Sequence, residues 1–206
     1  MADSLDRLRI AAVSGSQRAG SVNTGLLRAL VSLAERRGKI DITIVDGLAD
    51  LPFASVDAAY GDVPDAVRHV HDQITKADGI IIATPEYCYS VPALLKNFFD
   101  WQTLPVPPKN TLRHKPLGIV GASISMMGTN RAQMDLRKIA LYSDLEVMGR
   151  PEVYVDDAAE KFTKDGELTD QATFELLERW LDDFEEFARS TLRRGLPDLS
   201  REYLTT

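Results

Sequence analysis

The sequence predicts an α/β domain built around a mainly parallel β-sheet. Short aliphatic and β-branched runs alternate along the chain with longer segments whose apolar residues recur at helical spacing, which is typical of βαβ units. Residues 79–83 are apolar without interruption, which indicates a central strand covered on both faces. We expect residues 1–206 to form a single domain whose short polar tail begins near residue 195.

The first half of the chain predicts three strands and the helices between them. Residues 8–13 form the first strand, and the helix that follows opens at Asn23, a preferred N-cap residue. Residues 40–45 form the second strand, and a loop leads from there to Gly61. The next helix opens at Pro64 and delivers the chain to the third strand.

The second half of the chain continues the alternation. A loop at 84–92, too rich in proline to be regular, precedes a short helix. The fourth strand spans 117–122, and a fifth lies within 145–155, where Gly149-Arg150-Pro151 interrupts it. The last two helices have these apolar stripes: Ala132, Leu136, Ile139 and Ala140, then Phe174, Leu177, Leu181, Phe184 and Ala188.

Composition and charge exclude several classes of partner. The net charge of -7 argues against a nucleic-acid or anionic-membrane surface as the main partner, and no stretch has the ~18 apolar residues that a membrane span needs. Because the start of the chain lacks the pattern of a signal peptide, we expect a cytoplasmic protein. Cys88, the single cysteine, agrees with a reducing compartment. The three histidines have neither the spacing nor the neighbours of a metal site.

The loop after the first strand has the chemistry of a phosphate site. Residues 15–23 lead into a helix N-terminus, where free N–H groups and the helix dipole favour an anion. The hydroxyls of Ser16 and Ser21 and the amide of Asn23 add donors, and Arg18 adds a charge that can bind two phosphate oxygens.

The same loop excludes nucleoside triphosphates. Gly15 and Gly20 have the spacing of a triphosphate-binding loop, but Ser21 stands where that loop requires lysine. A terminal monophosphate therefore fits best. The plainer alternative is that the loop only makes the turn and caps the helix.

The loop at 84–92 is suited to line a flat ligand, since Tyr87 and Tyr89 supply two aromatic rings. Glu86 is either a general base or, as is more common for a lone loop carboxylate, solvated or bonded to a nearby amide. Cys88 is either a reactive thiol or a small neutral residue, and no His or Lys stands beside it in the sequence to activate it.

Two long motifs stand behind the first and third strands: Gly15-Ser16-x-Arg18-x-x-Ser21-x-Asn23 and Pro85-Glu86-Tyr87-x-Tyr89-Ser90-Val91-Pro92-x-x-Leu95-Lys96-Asn97-x-x-Asp100-Trp101. Together they resemble the NADPH-dependent FMN reductase family, which includes quinone, azo-dye and chromate reductases. The resemblance implies a flavodoxin-like three-layer α/β sandwich, with a five-stranded parallel sheet of order 2-1-3-4-5 and FMN at its carboxyl edge.

The resemblance also implies the function. It indicates an FMN-dependent NAD(P)H oxidoreductase that passes hydride from NADPH or NADH to flavin and on to a quinone, azo, metal or free-flavin acceptor. It further implies a homodimer or homotetramer in which a partner subunit helps to cover the flavin. The alternatives are a flavodoxin-like electron carrier and a flavin-free binding module on the same fold.

By position, the family's flavin-binding residues fall in three loops of this chain. The phosphate would be held by Ser16, Arg18, Ser21, Val22 and Asn23. The isoalloxazine would be lined by Pro85, Glu86, Tyr87, Cys88 and Tyr89. Its pyrimidine edge would be approached by Ser123, Ser125, Met126, Met127 and Gly128.

Two positions depart from the family's usual pattern. Cys88 stands where the family usually has asparagine, and Met126 and Met127 stand in a loop that is commonly rich in glycine. The methionines would narrow the site, shift the potential of the flavin, or form a pocket for an apolar substrate. The alternative is that they pack under the loop or at a subunit contact.

Overall fold

The computed structural model describes residues 7–109 and 111–194. Its strands are β1 (Leu8–Ser14), β2 (Ile40–Ile44), β3 (Gly79–Ala83), β4 (Pro116–Ala122), β5 (Glu146–Val147) and β6 (Val153–Val155). All of them pair in parallel, in the order β2-β1-β3-β4-β5, and β6 also pairs with β4. The predicted fold class and strand order are confirmed.

Helices cover both faces of this sheet. They are α1 (Val22–Arg37), α2 (Val56–Tyr60), α3 (Asp65–Lys76), α4 (Ala93–Thr103), α5 (Asn130–Tyr142), α6 (Ala158–Lys161) and α7 (Gln171–Arg194). Most of their buried apolar side chains fall into two large clusters, one containing α1 and α7 and the other containing α3, α4 and α5. A third, smaller cluster contains Ala59 of α2, Val67 of α3 and Trp101 of α4. The sheet is therefore the middle of three layers.

Apolar burial holds the layers together. Every residue of β3 and β4 is buried, as expected for strands covered on both faces. On the face covered by α7, Trp180 stacks on Phe184 with ring centroids 5.4 Å apart. Complete burial of one large apolar side chain stabilises a fold by about 1.5–3 kcal/mol, so these contacts fix the strands that carry the loops described below.

Two predicted segments differ from the structure. The fifth strand is divided into β5 and β6, because Pro151 and the residues before it break the ladder between them. The predicted loop before Gly61 contains a 3₁₀ turn (Leu48–Asp50) and α2, whose N-cap Ser55 accepts a hydrogen bond from the Ala58 N–H.

The predicted polar tail from residue 195 lies outside the described residues. Within the described ranges, no helix is long and apolar enough to cross a bilayer.

The side chain of Lys115 is a partly buried cation at the amino end of the parallel strands. Lys115, just before β4, donates hydrogen bonds to the carbonyl oxygens of Ile74 and Thr75 at the end of α3, at 2.5 and 3.4 Å. Burial lowers the pKa of Lys115 to about 8, although the nearby carboxylate of Asp78 opposes this shift. The positive charge of Arg9, whose guanidinium binds the Asp78 carboxylate, lowers the pKa of Lys115 further.

The lowered pKa of Lys115 predicts a pH dependence of stability. Between about 8 and the ordinary value of 10.5, the unfolded chain binds more protons than the folded chain, so this group makes stability rise with pH. We expect the free energy of unfolding of the wild type, measured by urea titration, to rise more steeply across this window than that of Lys115→Met. Equal slopes for the two proteins would contradict the assignment.

Candidate functional site

Three loops meet at the carboxyl edge of the sheet. They follow the adjacent strands β1, β3 and β4 and span residues 15–21, 84–92 and 123–129. The N–H of Gly15 donates to the carbonyl oxygen of Ala83 at 2.8 Å, which fixes the first loop beside the second. Open parallel sheets bind their ligands at this edge.

The first loop ends in an open helix N-terminus. Ser21 is the N-cap of α1, and its hydroxyl accepts a hydrogen bond from the Thr24 N–H at 3.2 Å. Within the described part of the chain, no acceptor is found for the N–H groups of Val22 and Asn23 in the same turn. These two donors and the positive end of the α1 dipole can bind an anion.

The side chain of Asn23 has a different role from the predicted one. It is 2 % exposed, its Nδ2 donates to the carbonyl oxygen of Ala122 at 2.9 Å, and its Oδ1 accepts from the Ala122 N–H at 2.9 Å. The N-cap prediction for Asn23 is wrong: Ser21 caps α1, and the Asn23 amide joins the first turn of α1 to the end of β4. Its main-chain N–H is the donor that Asn23 contributes to the open helix N-terminus.

Arg18 lies on the exposed side of the first loop. Its guanidinium donates to the carbonyl oxygen of Gly20 at 3.1 Å, and its main-chain N–H donates to the hydroxyl of Ser16 at 3.4 Å. Both partners are uncharged, so the positive charge of Arg18 stays available to an anion.

A turn from the C-terminal part of the chain packs behind the first loop, and the sequence analysis missed it. We call residues 163–167 the bracing turn. Gly20 has a φ of +68°, and a Cβ at this position would lie 2.2 Å from the carbonyl oxygen of Lys164. Arg28 of α1 fixes the turn by donating to the carbonyl oxygen of Gly166 at 2.9 Å. The main sequence signal for this contact was Gly20 itself, which tolerates both the backbone conformation and the close approach.

The second loop contains a tight hairpin turn, which the prediction of irregular structure did not include. The Tyr87 N–H donates to the carbonyl oxygen of Ser90 at 3.0 Å, and the Ser90 N–H donates back to Tyr87 at 2.9 Å. Cys88 and Tyr89 between them have φ values of +50° and +63°. Both central residues of a type I′ turn need positive φ, and asparagine and glycine are the preferred residues there. The asparagine usual in the family at the position of Cys88 therefore suits this backbone.

The Glu86 carboxylate is hydrogen-bonded to main-chain N–H groups, which agrees with the second of the two roles predicted for it. Its carboxylate accepts hydrogen bonds from the N–H groups of Arg131 and Ala132 at 3.0 and 3.2 Å, and from the Arg131 guanidinium at 3.2 Å. The same guanidinium lies 4.4 Å above the ring centre of Tyr89. A carboxylate with this many donors is poorly placed to act as a general base.

The third loop folds on its own hydroxyl groups. The Ser123 hydroxyl accepts from the Ser125 N–H at 3.1 Å, and the Ser125 hydroxyl accepts from the N–H two residues further on at 3.3 Å. Gly128 has a φ of +56°, and a Cβ there would lie 3.0 Å from the Cβ of Tyr154. The loop is therefore closely packed at Gly128.

The methionines of the third loop are exposed. Met126 is 83 % exposed and Met127 is 49 % exposed, so neither packs under the loop. Ile124, Tyr87 and Tyr89 on the same two loops are also exposed, and we call these five residues the apolar rim. This rim suits an apolar ligand or a subunit contact.

Two motif residues of α4 have structural roles that the sequence analysis did not assign. Asn97 accepts from the Ala54 N–H and donates to the carbonyl oxygen of Pro52, both at 2.9 Å. Trp101 donates to the same carbonyl oxygen at 2.7 Å. These contacts fix the segment that presents Phe53, whose side chain is 87 % exposed.

Comparison with known proteins decides what this site belongs to. The model of the family described as NADPH-dependent FMN reductase matches residues 8–160. The chain belongs to this family. Its membership confirms the predicted family and enzyme class, an oxidoreductase that uses FMN and NAD(P)H.

Individual relatives agree with the family match. An NAD(P)H-dependent FMN reductase of Pseudomonas aeruginosa is 34% identical over 176 residues, which cover 85% of this chain and 92% of the relative. A 2-hydroxy-1,4-benzoquinone reductase of Burkholderia is 35% identical over 182 residues, or 88% of this chain and 97% of the relative. Among solved structures, the flavoenzyme NAD(P)H:(acceptor) oxidoreductase FerB of Paracoccus denitrificans has a TM-score of 0.80 and 32% identity, with 89% of this chain and 98% of that chain covered.

The structure of this FMN reductase family member fits the cofactor. The first loop offers uncommitted N–H groups at a helix N-terminus and the charge of Arg18 for a phosphate. The second loop offers exposed aromatic side chains for a flat ring system. The two kinds of site are adjacent, because β1 and β3 are neighbouring strands.

The positive φ of Cys88 predicts the effect of restoring the family's usual residue. Because asparagine adopts this conformation with less strain than cysteine, we expect Cys88→Asn to raise the free energy of unfolding by about 0.5–1 kcal/mol and to retain flavin and activity. Denaturant unfolding and steady-state assays measure both effects. Cys88→Ala is the matched control, since it removes the thiol but does not relieve the strain of the positive φ at this position. Loss of activity in both variants, with flavin still bound, would instead assign a role to the thiol.

Proposed function

We propose that this FMN reductase family member reduces quinones with NADPH or NADH. The observation that carries the proposal is the apolar rim beside the phosphate-binding loop, because it offers a flat apolar acceptor a surface next to the predicted flavin position. The 2-hydroxy-1,4-benzoquinone reductase relative supports the same acceptor class. Azo, metal and free-flavin acceptors remain alternatives that the same assay compares.

The proposed phosphate site uses the first loop, in ways that the contacts refine. Arg18 would supply charge-assisted hydrogen bonds, and the Ser16 hydroxyl would add a donor. Ser21, Val22 and Asn23 would act through the helix N-terminus, because the side chains of Ser21 and Asn23 already bond within the fold.

The proposed isoalloxazine site uses the second and third loops. Tyr87 and Tyr89 would provide aromatic surface, while Pro85, Glu86 and Cys88 would contribute main chain. The third loop would meet the pyrimidine edge of the ring with these residues: Ser123, Ser125, Met126, Met127 and Gly128.

The protein's share of the reaction is binding and orientation. Bound FMN supplies the hydride and electron chemistry between the nicotinamide and the acceptor. The loops would fix the position of the ring, and the N-terminus of α1 directs its positive dipole end towards the carboxyl edge, where negative charge develops on reduction. The apolar rim would exclude water when an acceptor or a partner subunit covers it.

We also propose one FMN-binding domain, a homodimer or homotetramer and a cytoplasmic location. All described elements pack around one sheet, which supports the single domain. The exposed apolar residues on α5, Met134, Leu141 and Tyr142, support a subunit contact. The free, exposed thiol of Cys88 supports a reducing compartment.

The phosphate assignment predicts a selective loss in one variant. We expect Arg18→Ala to weaken FMN binding by about 1.5–3 kcal/mol, the value of a hydrogen bond to a charged group, and to leave riboflavin binding unchanged because riboflavin lacks the phosphate. Flavin fluorescence titration measures both dissociation constants. Arg36→Ala, at the far end of α1, is the matched control. An unchanged affinity for FMN in Arg18→Ala would remove this residue from the site.

The activity is tested by nicotinamide oxidation with a panel of acceptors. We expect the FMN-loaded protein to oxidise NADPH or NADH with a benzoquinone faster than free FMN does at the same concentration, and with a higher kcat/KM than with azo dyes or ferric salts. Rates equal to the free-flavin background with every acceptor would refute the reductase function in this protein. A preference for another acceptor would refute the quinone assignment alone.

A further inference from the structure

Glu86 is a nearly buried carboxylate that the proposed reaction does not use. Its side chain is 10 % exposed, and both of its oxygens accept hydrogen bonds from α5. It comes directly after Pro85 in the loop behind β3, whereas α5 follows the loop behind β4. The carboxylate therefore joins the two loops that are proposed to surround the isoalloxazine.

The contacts are divided between the two carboxylate oxygens. Oε2 accepts from the main-chain N–H groups of Arg131 and Ala132 at 3.0 and 3.2 Å, in the first turn of α5. Oε1 accepts from the Arg131 guanidinium at 3.2 Å. Four free N–H groups open every helix, and Glu86 satisfies two of them from a distant part of the chain.

A second contact fixes the same loop on α5. The hydroxyl of Ser90, at the end of the hairpin turn, donates to Asp135 at 2.7 Å. Hydrogen bonds from Lys138 and Ser90 lower the pKa of Asp135, so this carboxylate is ionised at neutral pH. The hairpin turn, with its strained Cys88 and Tyr89, is thus attached to α5 on both sides.

Glu86, Arg131 and the first turn of α5 form a corner in which the carboxylate offsets most of the positive charge. The first turn of α5 carries roughly half a positive charge from the helix dipole, and Arg131 adds a full one. Glu86 opposes both with its negative charge at hydrogen-bond distance. Without this carboxylate, the corner would become more positive by one unit, and a more positive corner favours the reduced flavin, which is the more negative form.

We propose that Glu86 is a positioning residue for the flavin reaction: its carboxylate fixes loop 84–92 on the first turn of α5 and, by offsetting most of the positive charge at this corner, keeps the reduction potential of bound FMN low. The inference rests on the proposed placement of the isoalloxazine against this loop. A low potential favours rapid transfer of electrons from the reduced flavin to the acceptor.

Two substitutions separate the mechanical role from the charge. In Glu86→Gln, the amide oxygen can still accept from the two main-chain N–H groups, but the amide NH₂ then faces the Arg131 guanidinium, and two donors cannot bond. This variant keeps the attachment of the loop and loses the charge. Glu86→Ala loses both. Glu178→Gln is the matched control, because Glu178 also pairs with an arginine, Arg37 at 3.5 Å, but on α7 at the other face of the sheet.

The attachment is tested on the protein without flavin, by hydrogen exchange at the amides of Tyr87 and Ser90. We expect exchange at least about tenfold faster than wild type in Glu86→Ala, and within about threefold of wild type in Glu86→Gln and Glu178→Gln. Wild-type exchange rates in Glu86→Ala would overturn the proposal.

The charge is tested by the midpoint potential of bound FMN. In Glu86→Gln we expect reduced FMN to gain affinity over oxidised FMN by about tenfold, which for a two-electron couple is an upward shift of about 30 mV. Glu178→Gln should match the wild type. A potential in Glu86→Gln equal to that of the control would overturn the proposal. If the wild type itself had no affinity for FMN, the proposed function would fail with it, whereas the exchange experiment would still decide the attachment.

Discussion

The two hydrogen bonds between the side chain of Asn23 and the main chain of Ala122 are the constraint on which the site depends. They join the first turn of α1 to the carboxyl end of β4, across the intervening strand β3. Both groups are buried, and leaving a buried donor or acceptor without its partner costs about 1–3 kcal/mol. The loop behind β1 therefore keeps a fixed distance from the loop behind β4, and a ligand that spans both meets a rigid frame.

The second loop is fixed to this frame through α5. Glu86 and Ser90 attach the hairpin turn to the first two turns of that helix, and the ring of Tyr89 packs against Arg131. The turn itself is strained at two consecutive residues, and such strain persists only where surrounding contacts determine the conformation. The attachments to α5 meet that requirement. Rigid loops on a rigid sheet are what a flavin enzyme needs when the cofactor performs the chemistry.

Much of the fold could be predicted from the sequence, because alternating strand and helix patterns are local signals. The uninterrupted run at 79–83 indicated a central strand, and Gly149-Arg150-Pro151 marked the break that divides the fifth strand. The strand order needed the family resemblance. The site was predicted less completely: Ser21 and Asn23 are both good N-cap residues, and only the distant partner Ala122 decides which one caps the helix. No local pattern could show that Glu86 meets α5 or that the bracing turn meets Gly20, since these contacts join residues far apart in the sequence.

The bracing turn has a consequence for how this protein can vary. The family match ends at residue 160, yet the bracing turn lies in backbone contact with the first loop, where we propose that the flavin phosphate binds. The carbonyl oxygen of Lys164 occupies the space that any side chain at Gly20 would need, and a Cβ at Gly166 would lie 2.8 Å from the carbonyl oxygen of Ser21. Insertions in most exposed loops have little effect on stability, whereas an insertion in this surface turn would disturb the first loop. A change in the length of this turn would alter the backbone of the first loop, because Lys164 and Gly166 are packed directly against it.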